Sequence, residues 1–154
     1  LENSLRRFRA DFRHPKQTAF IIMRFGQTEA QDQLLNAIKT VLRSHGLDGV
    51  RADEKQYSDD LLLNVRTFMH GCGFAIAVFE RAEEETFSPN VALELGYLLA
   101  IGKPVCLLKD RRLETLPTDL TGKLYSTFDP GDPSHSIAQE LTAWLQRNEL
   151  ARPA

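Results

Sequence analysis

Short continuous apolar runs alternate with stretches whose apolar residues recur every three or four positions, from residue 18 almost to the end of the chain. The runs are Thr18 to Phe25, Gly49 to Ala52, Phe74 to Phe79, Pro104 to Leu108 and Leu124 to Phe128. Runs of this length and continuity predict strands covered on both faces. The helical patterns between them carry Leu34, Leu35, Ile38, Val41 and Leu42, then Leu62, Val65, Phe68 and Met69, then Val91 to Ile101. A closing helix carries Ile137, Leu141, Trp144 and Leu145. Thr28-Glu29-Ala30-Gln31 has the form of a capping box, and Gly46 is placed to end the helix it opens. Ser58 or Asp59 is expected to cap the second helix, and Ser134 or Ser136 the last.

Strands alternating with helices on short links predict an α/β fold, a flavodoxin-like (Rossmann-like) parallel sheet of about five strands with helices on both faces. Ahead of it, Leu5, Phe8 and Phe12 fall at helical spacing among Arg6, Arg7, Arg9 and Arg13. Residues 1–17 therefore read as an amphipathic helix, either docked or serving as an interdomain tether. Residues 18–149 form the domain, and 150–154 read as a loose tail. A start at Leu1 suggests a segment of a longer protein or a processed chain.

Composition narrows the function classes only a little. With 154 residues, 42% hydrophobic and 26% charged, the chain suffices for one domain with its own core. A net charge of −2 gives no electrostatic case for a nucleic-acid partner. Cys72 and Cys106 lie far apart in apolar segments and fit no metal-ligand spacing, so buried reduced thiols in a cytoplasmic protein are expected. No apolar run approaches the ~20 residues needed to span a bilayer, so no membrane partner is expected.

In an open parallel sheet, ligands bind outside the carboxyl ends of the strands. After the first strand come Arg24, Phe25, Gly26 and Gln27, leading into a helix N-terminus. That is either an ordinary turn or an anion site reinforced by Arg24. Asp53 follows the second strand, as a turn residue or an acceptor for a ribose hydroxyl. Phe79 and Glu80 end the third, before an acidic loop, Glu80 to Glu85, that has no metal-ligand pattern. Neither G-x-G-x-x-G nor G-x-x-x-x-G-K-[ST] occurs, which leaves a dinucleotide Rossmann site and a P-loop without support.

The most telling stretch is Phe87-Ser88-Pro89-Asn90-Val91-Ala92-Leu93-Glu94-Leu95-Gly96-Tyr97, with Gly102-Lys103-Pro104 behind it. Glu94 is the single charge between Val91 and Ile101. Its helical neighbours, Asn90, Val91, Tyr97 and Leu98, do not make a solvated face. Such a carboxylate is either paired, with Lys103 or Arg24, or used for chemistry.

Ile21-Ile22-Met23-Arg24-Phe25, Arg51-Ala52-Asp53, Ser88-Pro89-Asn90, Glu94-Leu95-Gly96-Tyr97 and Gly102-Lys103-Pro104 occur here in the order of a known superfamily. The chain resembles nucleoside 2-deoxyribosyltransferase-like proteins and their TIR-like bacterial relatives over roughly residues 18–129. The resemblance implies a catalytic role for Glu94 on an N-glycosidic bond. It places substrate around Met23, Arg24, Phe25, Gly26, Asp53, Phe79, Glu80, Pro89 and Asn90, with Asn90 and Asp53 near the ribose. Arg24 stands where the family often has proline, and Phe79-Glu80 where it commonly has aspartate.

Breaking an N-glycosidic bond builds positive charge on the sugar, and a neutral base also needs an acid to leave. Nicotinamide leaves NAD without a proton, so one carboxylate suits NAD or a related nucleotide as substrate, with no cofactor and no metal. Glu80 is the candidate for a second, acidic group. The resemblance further implies an effector, possible in bacterial antiphage defence, joined to a sensor domain and able to self-associate. The alternatives are a nucleotide-sensing module without chemistry and a self-assembling interaction domain of the same fold.

Overall fold

The computed structural model describes residues 1–81, 88–114 and 125–151. In chain order these form α1 (Glu2–Asp11), a 3₁₀ turn (Pro15–Gln17), β1 (Thr18–Ile22), α2 (Glu29–Ser44), β2 (Asp48–Val50) and α3 (Leu61–Gly71). They continue with β3 (Phe74–Phe79), α4 (Pro89–Ala100), β4 (Val105–Asp110), β5 (Ser126–Phe128) and α5 (Pro133–Arg147). The five strands form one parallel sheet in the order β2-β1-β3-β4-β5. The chain winds outward in one direction from β1 and in the other from β3, so a topological switch point lies between those two strands.

The continuous apolar strands have the cause expected of them. Along β3, Phe74, Ile76 and Val78 join the core under α2 and α5, while Ala75, Ala77 and Phe79 join the core under α1, α3 and α4. The register sets Ile22 of β1 beside Ala77, and Phe79 beside Lys109 of β4. Cys72 and Cys106 are both buried and unlinked, one in each core layer.

Local chemistry sets the helix ends. The capping box is complete, with Gln31 N–H donating to the Thr28 hydroxyl and the Thr28 N–H to the Gln31 side chain. Gly46 takes a positive φ of 69° after α2, which glycine adopts without steric cost. The caps of α3 and α5 are Asp60 and Asp132, not the serines or Asp59, because these two carboxylates reach the N–H groups three residues on. β1 stops at Ile22 rather than Phe25, and β4 runs on to Asp110. The turn expected over 116–123 and most of the acidic loop lie outside the described residues.

Helix α1 is part of the domain. Phe8 is fully buried, with ring centroids 4.6 Å from Phe12 and 5.6 Å from both Tyr57 and Phe68. A Cβ on Gly71 would fall 2.6 Å from the Phe8 ring, so this glycine permits the close approach of α1 to α3. At the other end, Leu150 and Ala151 pack against the core, and their N–H groups donate to the Leu145 carbonyl. These two residues are therefore not loose. Among the described residues, no helix is long and apolar enough to cross a membrane.

Candidate functional site

Helix α4 is apolar nearly all round, yet only one side of it is packed. Val91, Leu95 and Leu98 enter the core beneath it. Asn90, Leu93, Glu94 and Tyr97 face a cavity of about 480 Å³ between α4 and the first turns of α3. Phe25, from the tip of β1, and Leu61, Leu62, Val65, Arg66 and Met69, from α3, complete the lining. That volume lies in the range of small-molecule sites, and the lining is mostly apolar with a few polar groups. Leu62, expected in the core, is instead 64% exposed at this cavity.

Glu94 is half-buried in this wall. Among the described residues it has no hydrogen bond and no ion pair, and burial pushes its carboxyl up to about 7. The expected ionic partners are elsewhere. Lys103 closes the C-terminus of α3, donating to the Cys72 carbonyl at 2.7 Å, and no ion pair joins Arg24 to Glu94. A second, narrow crevice also reaches Glu94, and it is lined by Phe25, Arg51, Ala52 and Asp53 at the tips of β1 and β2.

The remaining sequence candidates divide into those near Glu94 and those away from it. Phe25 and Asn90 share its cavity, and Asp53 its crevice. Asp53 is held by a two-pronged contact from Arg51, with Nε at 3.1 Å and Nη2 at 3.0 Å. Pro89 occupies the first turn of α4 beside Asn90. Met23 is buried and its side chain joins the core, although the crevice touches this residue. Phe79 is buried in the opposite core layer and lines neither space.

Glu80 lies on the α2 side of the sheet edge, outside the lining of both spaces. Burial pushes its pKa up, against the lowering effects of a Gln31 hydrogen bond and the nearby Arg24 and Arg51. Its Oε1 is buried without a hydrogen-bond partner among the described residues. The proposed acid is therefore not at Glu94's cavity.

The expected phosphate site at the start of α2 is disfavoured by its own chemistry. The capping box engages the Thr28 and Gln31 N–H groups, Glu29 and Asp32 already face the positive helix end, and the Gln31 side chain also bonds the Arg24 carbonyl. A Cβ on Gly26 would meet the end of that same side chain, so Gly26 leaves room for Gln31.

Sequence reasoning missed Arg66 and Tyr97 as a pair. Arg66 Nε donates to the Tyr97 hydroxyl at 3.1 Å, and the same hydroxyl lies 2.8 Å from Nε2 of His70. Burial, then Lys103 and Arg66, push His70 below its usual range. The Tyr97 hydroxyl accepts from Arg66, and the tautomer of the His70 ring sets the direction of its second bond. Tyr97 stood in the quoted motif, but nothing local tied it to Arg66, 31 positions earlier.

The chain matches no protein-family model and no curated protein sequence. Among solved structures, its fold is similar to that of a 2-deoxyribosyltransferase from the psychrotolerant bacterium Bacillus psychrosaccharolyticus. The two share 20% identity with a TM-score of 0.55, over 76% of this chain and 90% of that one. The likeness establishes the fold.

Proposed function

We propose that this domain breaks the N-glycosidic bond of a nucleoside-type substrate, with Glu94 working at the anomeric carbon. The observation that carries this reading is a half-buried carboxylate, without a partner among the described residues, facing a ligand-sized cavity. A carboxylate in apolar surroundings stabilises the positive charge that develops on the sugar, or closes on the anomeric carbon itself. In the covalent form, the C–N bond breaks with its electron pair leaving on the base. A second base or a water molecule then opens the ester to Glu94, so transfer and hydrolysis differ in what enters.

The apolar walls of Phe25, Leu62, Val65 and Met69 suit a nucleobase, and Asp53 in the adjoining crevice suits a sugar hydroxyl. The structural neighbour is described as a biocatalyst for the synthesis of antiviral and antitumoral nucleosides, which supports the transferase form.

One observation favours NAD cleavage as a second reading. Among the described residues lining the main cavity, Glu94 is the single carboxylate, and cationic nicotinamide needs no acid to leave. The capping box and the acidic Glu29 and Asp32 at the start of α2 weigh against it, since they disfavour a diphosphate there.

Both readings meet one experiment. The protein is incubated with 2′-deoxyadenosine plus free cytosine, and separately with NAD, and released base is followed by chromatography beside Glu94→Gln. The reading expects deoxynucleoside cleavage that falls about 100-fold or more in the variant. Release from NAD alone selects the second reading. Release unchanged in Glu94→Gln removes Glu94 from the chemistry, and no release from either substrate overturns the enzymatic assignment.

A further inference from the structure

Asp53 is carried by the loop, residues 51–60, that joins β2 to α3. Residues 53–56 are polar and exposed, so apolar packing does not set where they lie. Hydrogen bonds do. The buried side-chain amide of Asn64, near the start of α3, accepts from the Tyr57 N–H at 2.7 Å. It donates to the carbonyls of Ala52 at 3.0 Å and Lys55 at 3.2 Å. A backbone N–H only donates and a carbonyl only accepts, so these three bonds fix the orientation of the amide. The two carbonyls flank Asp53. From the α2 side, Glu54 adds a contact of 2.6 Å with Lys39.

Tyr57 is held in turn by α1. It is buried, its hydroxyl donates to Asp11 at 2.9 Å, and its carbonyl accepts from Arg7 at 3.1 Å. The Arg7 guanidinium and the Lys55 ammonium lie 5.9 Å and 5.8 Å from its ring centroid. Lys55 also pairs with Asp11 at 2.7 Å. An unbroken set of bonds therefore runs from α1 through Tyr57 and Asn64 to both sides of Asp53. Asp53 and Glu94 line one crevice of about 20 Å³, room for about one water molecule. A small shift of the loop thus changes what surrounds Glu94.

We propose that α1 acts on the Glu94 site from a distance, with Asp11, Tyr57 and Asn64 as positioning residues that hold Asp53 at its crevice. The consequence for chemistry rests on the reading of Glu94 given above. With this clamp closed, Asp53 is presented to a sugar hydroxyl and little water reaches the Glu94 carboxyl. With it open, both conditions are lost. Helix α1 is then a working part of the site as well as a cover for α3.

The test needs no substrate. Asp11→Ala, Asp11→Asn, Tyr57→Phe and Asn64→Asp are compared with the native chain, and circular dichroism confirms that each is folded. Amide hydrogen exchange is read residue by residue by NMR. It is expected to quicken about tenfold or more over residues 53–57 in Asp11→Ala, Tyr57→Phe and Asn64→Asp, with β3 changing far less. Asp11→Asn, which still accepts from Tyr57, is expected to lie between native and Asp11→Ala. The Glu94 carboxyl is titrated in the same samples by its carbon-13 shift. It is expected to fall from about 7 toward its ordinary value in Asp11→Ala, as water reaches the group.

Unchanged exchange across the loop overturns the proposal. So does faster exchange with an unmoved Glu94 titration, which would make α1 a brace for the loop and nothing more. Base release by the native protein is read separately. Its absence removes the reading of Glu94 and leaves the clamp to be decided by exchange and titration. Base release with the same kcat and KM in Asp11→Ala as in the native chain removes the clamp and leaves Glu94 its role.

Discussion

Lys103 Nζ donates to the carbonyl oxygen of Cys72 at 2.7 Å, just past the C-terminus of α3. This contact places the lysine at the amino edge of the sheet, where it meets the negative end of a helix dipole. Glu94, on the cavity side of α4, is left without the cation that the sequence spacing offered it. The consequences are testable one at a time.

Lys103→Met is expected to cost about 1 kcal/mol through the lost helix-end contact, read as a lower midpoint in urea denaturation. It should leave the titration of Glu94 where it is. A Glu94 pKa that rises in this variant would restore the ion pair as the explanation of the residue.

Glu94→Gln should stabilise the fold above neutral pH. The carboxyl ordinarily titrates near 4.5 and is pushed up to about 7 by burial, so between those values the folded protein holds a proton that the unfolded chain has released. Stability therefore falls as pH rises through this window and is flat above it as far as this group is concerned. The glutamine variant escapes that loss, on the order of 2 kcal/mol above pH 7. Denaturation midpoints of both proteins across the window measure it; parallel curves would refute it.

The rate should follow the same group in the opposite sense. If ionised Glu94 meets the sugar, kcat/KM rises with pH, inflects near 7 and levels off. Initial rates of base release across the neutral range test this. A rate that falls through that inflection would make the protonated form the active one.

Phe8→Ala should destabilise the whole domain by about 3 to 5 kcal/mol, because the ring is fully buried against Phe12, Tyr57 and Phe68. A single cooperative transition at lower denaturant is the expected form. An unchanged midpoint would return α1 to the status of a tether.

The parts legible in the sequence were those that depend on neighbours along the chain. Thr28 and Gln31 announced the capping box because each partner lies three residues from the other. β3 was readable residue for residue because a strand covered on both faces must be apolar at every position. The same spacing logic could not say which apolar face of a helix meets core and which meets a cavity. Leu62 fits the helical stripe as well as Phe68 does, yet Leu62 is exposed and Phe68 buried.

Glu94 was visible from the sequence as a charge out of keeping with its helix, and the alternating elements set a parallel sheet with a candidate site at its carboxyl edge. What only the tertiary structure decided was the company that charge keeps. Lys103 turned away to cap α3, Glu80 stayed on the far side of the edge, and Arg66 came to Tyr97 from another helix. Such pairings depend on how two helices cross and rotate against one sheet, which the packing of distant side chains settles and no local spacing encodes.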